Sequence, residues 1–180
     1  MKLRRLLYVL PIVLLGLFAY LAWLGLAPDR DPSALPSALV GRPVPQFSLP
    51  PLDPAAGTLA TADVSGHVAV INFFASWCLP CKAEHPLLFA LGKEYGVPVY
   101  GIAFKDRPED TAAYIKEMGS PYTKTGLDVN GRVSLDFGLM GVPETFILDK
   151  NGVIRYRLPM PLDEDRIKND IAPLLKSLAQ

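Results

Sequence analysis

The chain has 180 residues, which is enough for one domain with a short appendage. It carries 18 basic and 18 acidic residues, and without Lys2, Arg4 and Arg5 the remainder has 15 basic against 18 acidic residues, a formal charge of −3. This balance excludes a polybasic surface that binds nucleic acid or anionic lipid as the main functional surface.

The N-terminal region is apolar. Residues 6–27 contain no charged side chain, and this run of 22 matches the ~20 residues that a helix needs to cross a bilayer. Basic residues before the run predict a cytoplasmic tail over 1–5 and place the chain after Ala27 outside the cytoplasmic membrane. The alternative is a cleaved signal peptide, but the run is longer than the usual apolar core of about 7–15 residues. We therefore predict a retained anchor over 6–27, a Pro-rich linker over 28–39 and a folded domain over 40–180.

Strand and helix patterns alternate along the folded domain. Starting with a short strand pair, we predict strands at 46–49, 57–61, 67–75, 97–104, 122–127, 145–148 and 153–158, and helices at 78–95, 108–118, 132–137 and from Asp163 onward. This order favours an α/β domain, and the final hairpin makes the sheet mixed in direction. Pro173 should bend or interrupt the last helix. In the helix at 108–118, the residues expected to face the core are Ala112, Ala113, Ile115 and Met118.

The chain has only two cysteines, Cys78 and Cys81, and they lie where a buried strand gives way to a helix. Because a helix N-terminus stabilises a thiolate, Cys78 is the predicted nucleophile that opens a substrate disulfide. Cys81, one turn further on, would attack the mixed disulfide and release the reduced substrate. Pro80 would keep the loop between them rigid. A disulfide across so short a loop adds little stability, so the pair indicates redox chemistry.

Two cysteines with this spacing also make half of a four-cysteine zinc site. No second pair exists, and the histidines are poor ligand candidates. We expect His67 at the start of a strand on the surface, and His85 on the surface of a helix. We therefore predict no metal and no cofactor.

The residues around the cysteines resemble a known active site. The segment at 73–82, FFASWCLPCK, resembles that of the thioredoxin superfamily, and the segment at 141–146, GVPETF, resembles the loop that carries a cis-proline beside it. The likeness covers roughly residues 39–180 and implies a thioredoxin-like α/β fold with a central mixed sheet flanked by helices.

The same resemblance assigns roles to residues near the cysteines. Pro143 would follow a cis peptide bond and present the backbone of Val142 for pairing with an extended substrate. Trp77 and Pro80 would form the apolar rim on which the substrate cysteine lands. Asn72 stands where thioredoxin has a buried acid in its strand.

Three features narrow the resemblance to the cytochrome c biogenesis thiol:disulfide interchange proteins, the CcmG/DsbE family. They are Glu84 three residues after Cys81, Glu144 directly after Pro143, and the segment 126–132 before the short helix. With the predicted anchor, this resemblance implies a periplasmic reductant held at the bacterial inner membrane. It would keep the heme-binding cysteines of apocytochrome c, or of a heme-ligation partner protein, reduced for heme attachment. Its electrons would come from a membrane thiol transporter of the DsbD/CcdA type.

Glu84 and Glu144 are the acids available to support the active site, because a partly buried carboxylate can act as a base toward the second cysteine. The alternative is that Glu84 is a solvated helix residue. Three other functions remain open: a broader exported reductase of the TlpA/ResA type, a copper-binding assembly factor, and a peptide-binding module whose cysteines tether a partner transiently.

Overall fold

The computed structural model describes the backbone of residues 2–25 and 39–179, which belong to two compact units, 1–36 and 37–180. The predicted linker lies outside the described residues, apart from Leu39. Helix α1 of the first unit runs over Lys2–Gly25. Within the described part of the chain, no helix is both long and apolar enough to cross a membrane. The predicted span over 6–27 is therefore not confirmed.

A five-stranded mixed sheet forms the centre of the second unit. A short antiparallel pair, β1 (Ser48–Leu49) and β2 (Leu59–Ala60), precedes it. The strands of the main sheet are β3 (Ala69–Phe74), β4 (Val99–Phe104), β5 (Lys124–Asp128), β6 (Glu144–Leu148) and β7 (Ile154–Leu158). Their order is β5-β4-β3-β6-β7, with β3, β4 and β5 parallel and β6 antiparallel to both of its neighbours. The strand–helix alternation and mixed sheet are as predicted.

Helices pack on both faces of this sheet. They are α2 (Leu79–Tyr95), α3 (Pro108–Met118), α4 (Arg132–Asp136), α5 (Glu164–Arg166) and α6 (Ala172–Leu178), with a π-helical turn over Ile167–Ile171 between the last two. All six β3 side chains are buried, and they alternate between two cores because successive strand residues point to opposite faces. Val70 and Phe74 pack toward α2, α3 and α6, whereas Ile71 and Phe73 pack toward β1, β2 and α4.

The C-terminal helix is interrupted as predicted, because the π-helical turn ends two residues before Pro173. The predicted inner face of α3 is wrong for two residues. Ala112 and Ala113 are exposed, and the buried positions are Thr111 and Tyr114. Both polar side chains find hydrogen-bond partners in the interior, which allows them to be buried in place of the alanines.

Candidate active site

The two cysteines form a disulfide at the N-terminus of α2. Cys78 is the N-cap residue, and the backbone N–H of Cys81 donates a hydrogen bond to Cys78 Sγ over 3.1 Å. In the reduced protein, this N–H and the helix dipole stabilise negative charge on Cys78 Sγ. Both cysteines are buried, at 3% and 2% exposure, whereas Leu79 and Pro80 between them are exposed. The sequence thus places an activated sulfur just beneath the surface.

The loop before β6 lies against the disulfide. Its Val142–Pro143 peptide bond is cis, in agreement with the resemblance to thioredoxin. The carbonyl oxygen of Val142 is 3.6 Å from Cys78 Sγ, so the backbone of this loop borders the reactive sulfur. A cleft of ≈ 260 Å³ opens beside it, lined by Pro80, Met140, Gly141, Val142, Pro143, Pro159, Met160 and Pro161.

Trp77 occupies a different position from Pro80. Its side chain is 60% exposed, and its indole N–H donates a hydrogen bond to the Lys105 carbonyl oxygen over 3.4 Å. Trp77 is absent from the residues that line the cleft, whereas Pro80 is among them. Both side chains are exposed beside the disulfide, and the apolar rim that they are predicted to form stays a prediction.

Asp106 holds the segment that leads into the cysteine motif. It follows β4 and is 4% exposed. One of its oxygens accepts hydrogen bonds from the Ser76 backbone N–H at 2.7 Å and the Thr111 hydroxyl at 3.0 Å; the other accepts from the Ser76 hydroxyl at 2.9 Å and the Arg107 backbone N–H at 3.0 Å. We did not predict this residue. The available signal was an acid two residues after a buried strand, because the carboxyl ends of parallel strands meet at one edge of a sheet.

Glu84 is almost fully buried, at 1% exposure, so the alternative of a solvated helix residue is wrong. Its Oε1 accepts a hydrogen bond from Asn72 Nδ2 over 2.8 Å, and its Oε2 accepts one from the Leu162 backbone N–H over 2.6 Å. Burial disfavours the charged form and raises the pKa of Glu84 to about 7, although the two N–H donors act in the opposite direction. A carboxyl group with this pKa can both accept and donate a proton near neutral pH.

Glu144 is also buried, at 1% exposure, and it forms an ion pair with Arg157. Its second oxygen accepts a hydrogen bond from the Met140 backbone N–H over 3.3 Å. Arg157 also donates to the Gly138 carbonyl oxygen over 2.8 Å. Burial raises the pKa of Glu144, and the positive charge of Arg157 opposes that rise. The pair thus fixes the loop that carries Val142.

Comparison with known proteins identifies the kind of molecule that carries this site. Residues 40–157 match the model of the AhpC/TSA family. The chain belongs to the AhpC/TSA family. The thiol:disulfide interchange protein HelX of Rhodobacter capsulatus is 43% identical over 152 residues, covering 84% of this chain and 85% of HelX. The thiol:disulfide interchange protein DsbE of Pseudomonas aeruginosa is 37% identical over 175 residues, covering 97% and 96%.

These relatives confirm the predicted likeness to the CcmG/DsbE group within the AhpC/TSA family, and the chain is a thioredoxin-like thiol–disulfide oxidoreductase. Solved structures confirm the fold. A thio-disulfide isomerase from Thermus thermophilus superposes with a TM-score of 0.61 at 33% identity, covering 76% of this chain and 96% of the isomerase. A putative DsbE from Chlorobium tepidum gives a TM-score of 0.67 at 23% identity, covering 78% and 98%.

In this AhpC/TSA member, the prediction for His85 is wrong. His85 is 1% exposed, and its Nδ1 accepts a hydrogen bond from the Tyr114 hydroxyl over 2.7 Å. Its Nε2 donates to the Gly119 carbonyl oxygen over 3.0 Å. Both ring nitrogens are therefore engaged, and burial lowers the pKa of His85. His67 is partly buried, with Nε2 3.1 Å from the Tyr100 hydroxyl.

Proposed function

We propose that this chain is an exported, membrane-anchored reductant in cytochrome c maturation, which reduces disulfides of apocytochrome c or of its handling partner before heme attachment. The observation that carries the proposal is the disulfide between Cys78 and Cys81, set at a helix N-terminus beside the Val142 carbonyl. Likeness to HelX and DsbE supports thiol–disulfide interchange as the reaction. The cytochrome role rests on the resemblance carried by Glu84, Glu144 and the segment 126–132.

The reduced protein would work in two steps. In the first, the Cys78 thiolate attacks one sulfur of the client disulfide, a mixed disulfide forms, and the other client sulfur leaves as a thiolate that takes up a proton. In the second, the Cys81 thiol passes its proton to Glu84, and the resulting thiolate attacks Cys78 Sγ. The client leaves with both of its cysteines reduced, and the protein is left with the disulfide observed here.

The cleft beside the disulfide is suited to an extended client segment. Met140, Val142 and Met160 give it apolar walls. Its prolines have no backbone N–H, so they leave no donor in the cleft that a bound client would have to pair. The Val142 backbone next to Cys78 can form strand-like hydrogen bonds with a client, which favours client segments in an extended conformation. Because Glu144 and Arg157 fix this loop, the cleft does not have to be ordered when the client binds.

Anchoring at the inner membrane is part of the proposal, and it is supported by the sequence. Residues 6–27 carry no charge, and basic residues precede them. Fusion of alkaline phosphatase after residue 180 tests the orientation, because that reporter is active only outside the cytoplasm. Extraction of the full chain with alkaline carbonate separates an integral anchor from loose attachment. An inactive fusion would overturn the exported location, and release by carbonate would overturn the anchor.

Trapping of the mixed disulfide tests the function. In the Cys81→Ala variant, Cys78 still attacks but the second step is blocked, so client proteins should stay bound and be released by a reducing agent. The double variant Cys78→Ala/Cys81→Ala is the matched control and should capture nothing. Identification of apocytochrome c, or of a heme-handling protein, among the captured species supports the proposal. Capture of a broad set of unrelated periplasmic proteins would favour a general exported reductase instead.

The direction of electron flow is a second test. A reductant should have a reduction potential nearer ~−270 mV, as in thioredoxin, than ~−120 mV, as in a strong oxidant. Equilibration of the full chain with glutathione buffers of known ratio gives this value. A potential near the upper figure would overturn the reductive role, and dependence of the reduced fraction in cells on a transporter of the DsbD/CcdA type would support the proposed electron source.

A further inference from the structure

Asn72 lies in the middle of β3, fully buried, and its side-chain amide is hydrogen-bonded at both ends. Its Nδ2 donates to Glu84 Oε1 over 2.8 Å and to Thr145 Oγ1 over 3.1 Å. Its Oδ1 accepts a hydrogen bond from the Tyr122 hydroxyl over 2.9 Å. Since a carboxylate only accepts hydrogen bonds, the Asn72 amino group faces Glu84, and its carbonyl oxygen must then face Tyr122.

The neighbouring strand β4 has a glycine, Gly101, where the Tyr122 ring packs against it. Gly101 occupies the centre of β4, and a Cβ atom there would stand 2.8 Å from the Tyr122 ring and 2.9 Å from Phe74. Tyr122 stacks on Phe74 with ring centroids 4.8 Å apart. Glycine weakens a strand interior, and its presence there commonly marks a close approach of another group. A glycine at this position is therefore required to bring the Tyr122 hydroxyl to Asn72.

We propose that Asn72 and Tyr122 are positioning residues for thiol–disulfide exchange, which hold the Glu84 carboxylate on the face of α2 that also carries Cys81. Glu84 lies three residues after Cys81, and residues at this spacing are neighbours on a helix surface. Tyr122 donates to Asn72, and Asn72 donates in turn to Glu84, so each hydrogen bond strengthens the next. The Leu162 N–H holds the other carboxylate oxygen. With both oxygens held, the carboxylate cannot turn away from its neighbours.

The inference rests on the proposed role of Glu84 as the proton acceptor for Cys81. The ionisable groups near this carboxyl group include the phenols of Tyr114 on α3 and Tyr122 before β5. Burial and the charge of Glu84 raise the pKa of both phenols, so they stay protonated and add no charge beside it. Thr145 on β6 is linked to Glu84 through Asn72, to which both are hydrogen-bonded. The Leu162 backbone N–H, in the segment after β7, donates directly to Glu84. No charged side chain pairs with Glu84 among residues 39–179. Changes at Tyr122 therefore reach Glu84 through one neutral relay, Asn72.

The second step of the reaction can be followed in the full chain with a small disulfide reagent. After mixing the reduced protein with excess 5,5′-dithiobis(2-nitrobenzoate), Cys78 forms a mixed disulfide at a rate that depends on reagent concentration. Attack by Cys81 then releases a second coloured thiolate at a rate that does not. The dependence of this second rate on pH reports the groups that remove the Cys81 proton, which a residue with a purely structural role would not shift.

Three variants separate the possibilities. Glu84→Gln removes the acid and should abolish the inflection that Glu84 contributes to the pH profile. Tyr122→Phe removes one hydroxyl without changing the ring, so the ionised form of Glu84 loses support and the inflection should move upward by about half to one pH unit. Asn72→Asp places a second carboxyl group against Glu84, and repulsion should move the inflection upward by more than one pH unit.

Tyr114→Phe is the matched control. Tyr114 is another buried tyrosine on the same side of the sheet, but its hydroxyl donates to His85 and not to Asn72. This variant should lose stability to urea while keeping the wild-type pH profile.

The outcomes separate the proton-acceptor role of Glu84 from the positioning role of Asn72 and Tyr122. If Glu84→Gln leaves the profile unchanged, the proton-acceptor role of Glu84 fails, and the positioning role fails with it. If Glu84→Gln abolishes the inflection but Tyr122→Phe leaves it in place, the proposed function stands and this inference is overturned. A shift in Tyr114→Phe equal to that in Tyr122→Phe also overturns it, because general loosening of the core would then explain both. Upward shifts in Tyr122→Phe and Asn72→Asp alone support it.

Discussion

Replacement of Arg157 by methionine tests whether the ion pair with Glu144 stabilises the loop beside the disulfide through charge. Glu144 is 1% exposed and its Arg157 partner has a side-chain exposure of 14%, so little water can replace the lost charge. Methionine retains a long apolar side chain that can still pack against Phe146, over whose ring the guanidinium lies at 5.7 Å. The variant therefore removes the charge while keeping most of the packing.

The expected cost depends on pH. Without Arg157, only the Met140 N–H opposes the effect of burial on Glu144, so its pKa rises further and the folded protein holds this proton to higher pH. The unfolded chain releases it above a pKa of ~4.3, so it binds fewer protons than the folded state and stability falls as pH rises. Holding the proton at pH 7 costs about 1.4 kcal/mol for each pH unit above ~4.3, which gives an upper limit of about 3.7 kcal/mol. Near pH 4 this cost vanishes.

Urea unfolding at pH 4 and pH 7 measures this difference. Arg157→Met should lose about 2–4 kcal/mol at pH 7 and less than about 1 kcal/mol at pH 4. Arg155→Met is the control, since Arg155 lies two residues away on the same strand and its ion pair with Asp149 is longer, at 3.7 Å, with the arginine 49% exposed. It should change stability by about 0–1 kcal/mol at either pH. An equal loss in Arg157→Met at both pH values would refute the charge argument and assign the effect to packing.

Three further predictions concern single side chains. Because the pKa of Glu84 is raised to about 7, its contribution to the free energy of unfolding should fall by about 3 kcal/mol as pH rises from 4.5 to 7.5, and Glu84→Gln should remove this part of the pH dependence in urea titrations. Gly101→Ala should lose about 1–3 kcal/mol through overpacking, whereas Gly92→Ala, whose Cβ would meet nothing closer than 3.6 Å, should be neutral or stabilising. Asp106→Ala should lose about 2–4 kcal/mol by leaving its buried donors unpaired, and Asp136→Ala on the exposed face of α4 should stay within about 0.5 kcal/mol.

The sequence predicts most of the secondary structure because hydrophobic patterns are local. The run containing β3 is apolar almost without a break, which is typical of a strand buried on both faces, and the structure confirms it. Gly96 was predicted to end this helix, and it does so in the left-handed conformation that glycine adopts readily at a helix C-terminus. The cis bond before Pro143 was implied only by resemblance, since nothing in the local composition distinguishes it from a trans bond.

The errors share a physical cause. His85, Thr111 and Tyr114 are polar, so a hydropathy pattern predicts that they face solvent, but all three are buried. His85 and Tyr114 pair with each other across 29 residues of sequence, and Thr111 pairs with Asp106 in the loop before α3. A buried polar group is tolerated once it is hydrogen-bonded, and the pairing appears only when α2, α3 and the loop after β4 come together. Asp106 was missed for the same reason, because its four donors come from two separate segments.

Three buried acids of this domain lie at the end of the sheet that carries the disulfide. Asp106 follows β4, Asp128 ends β5 and caps α4 through Ser134, and Glu144 begins β6, which runs antiparallel and so starts at the same edge. Away from this edge, the buried polar side chains of the sheet strands are uncharged, and they include Asn72, Thr125 and Thr145. Asp106 binds Ser76 two residues before Cys78, Glu144 binds Met140 in the loop that carries Val142, and Asp128 binds the first turn of α4. The free-energy cost of burying these carboxylates is therefore incurred at the loops that must be held rigid for the reaction. This is expected when a stable apolar scaffold supports a preorganised site.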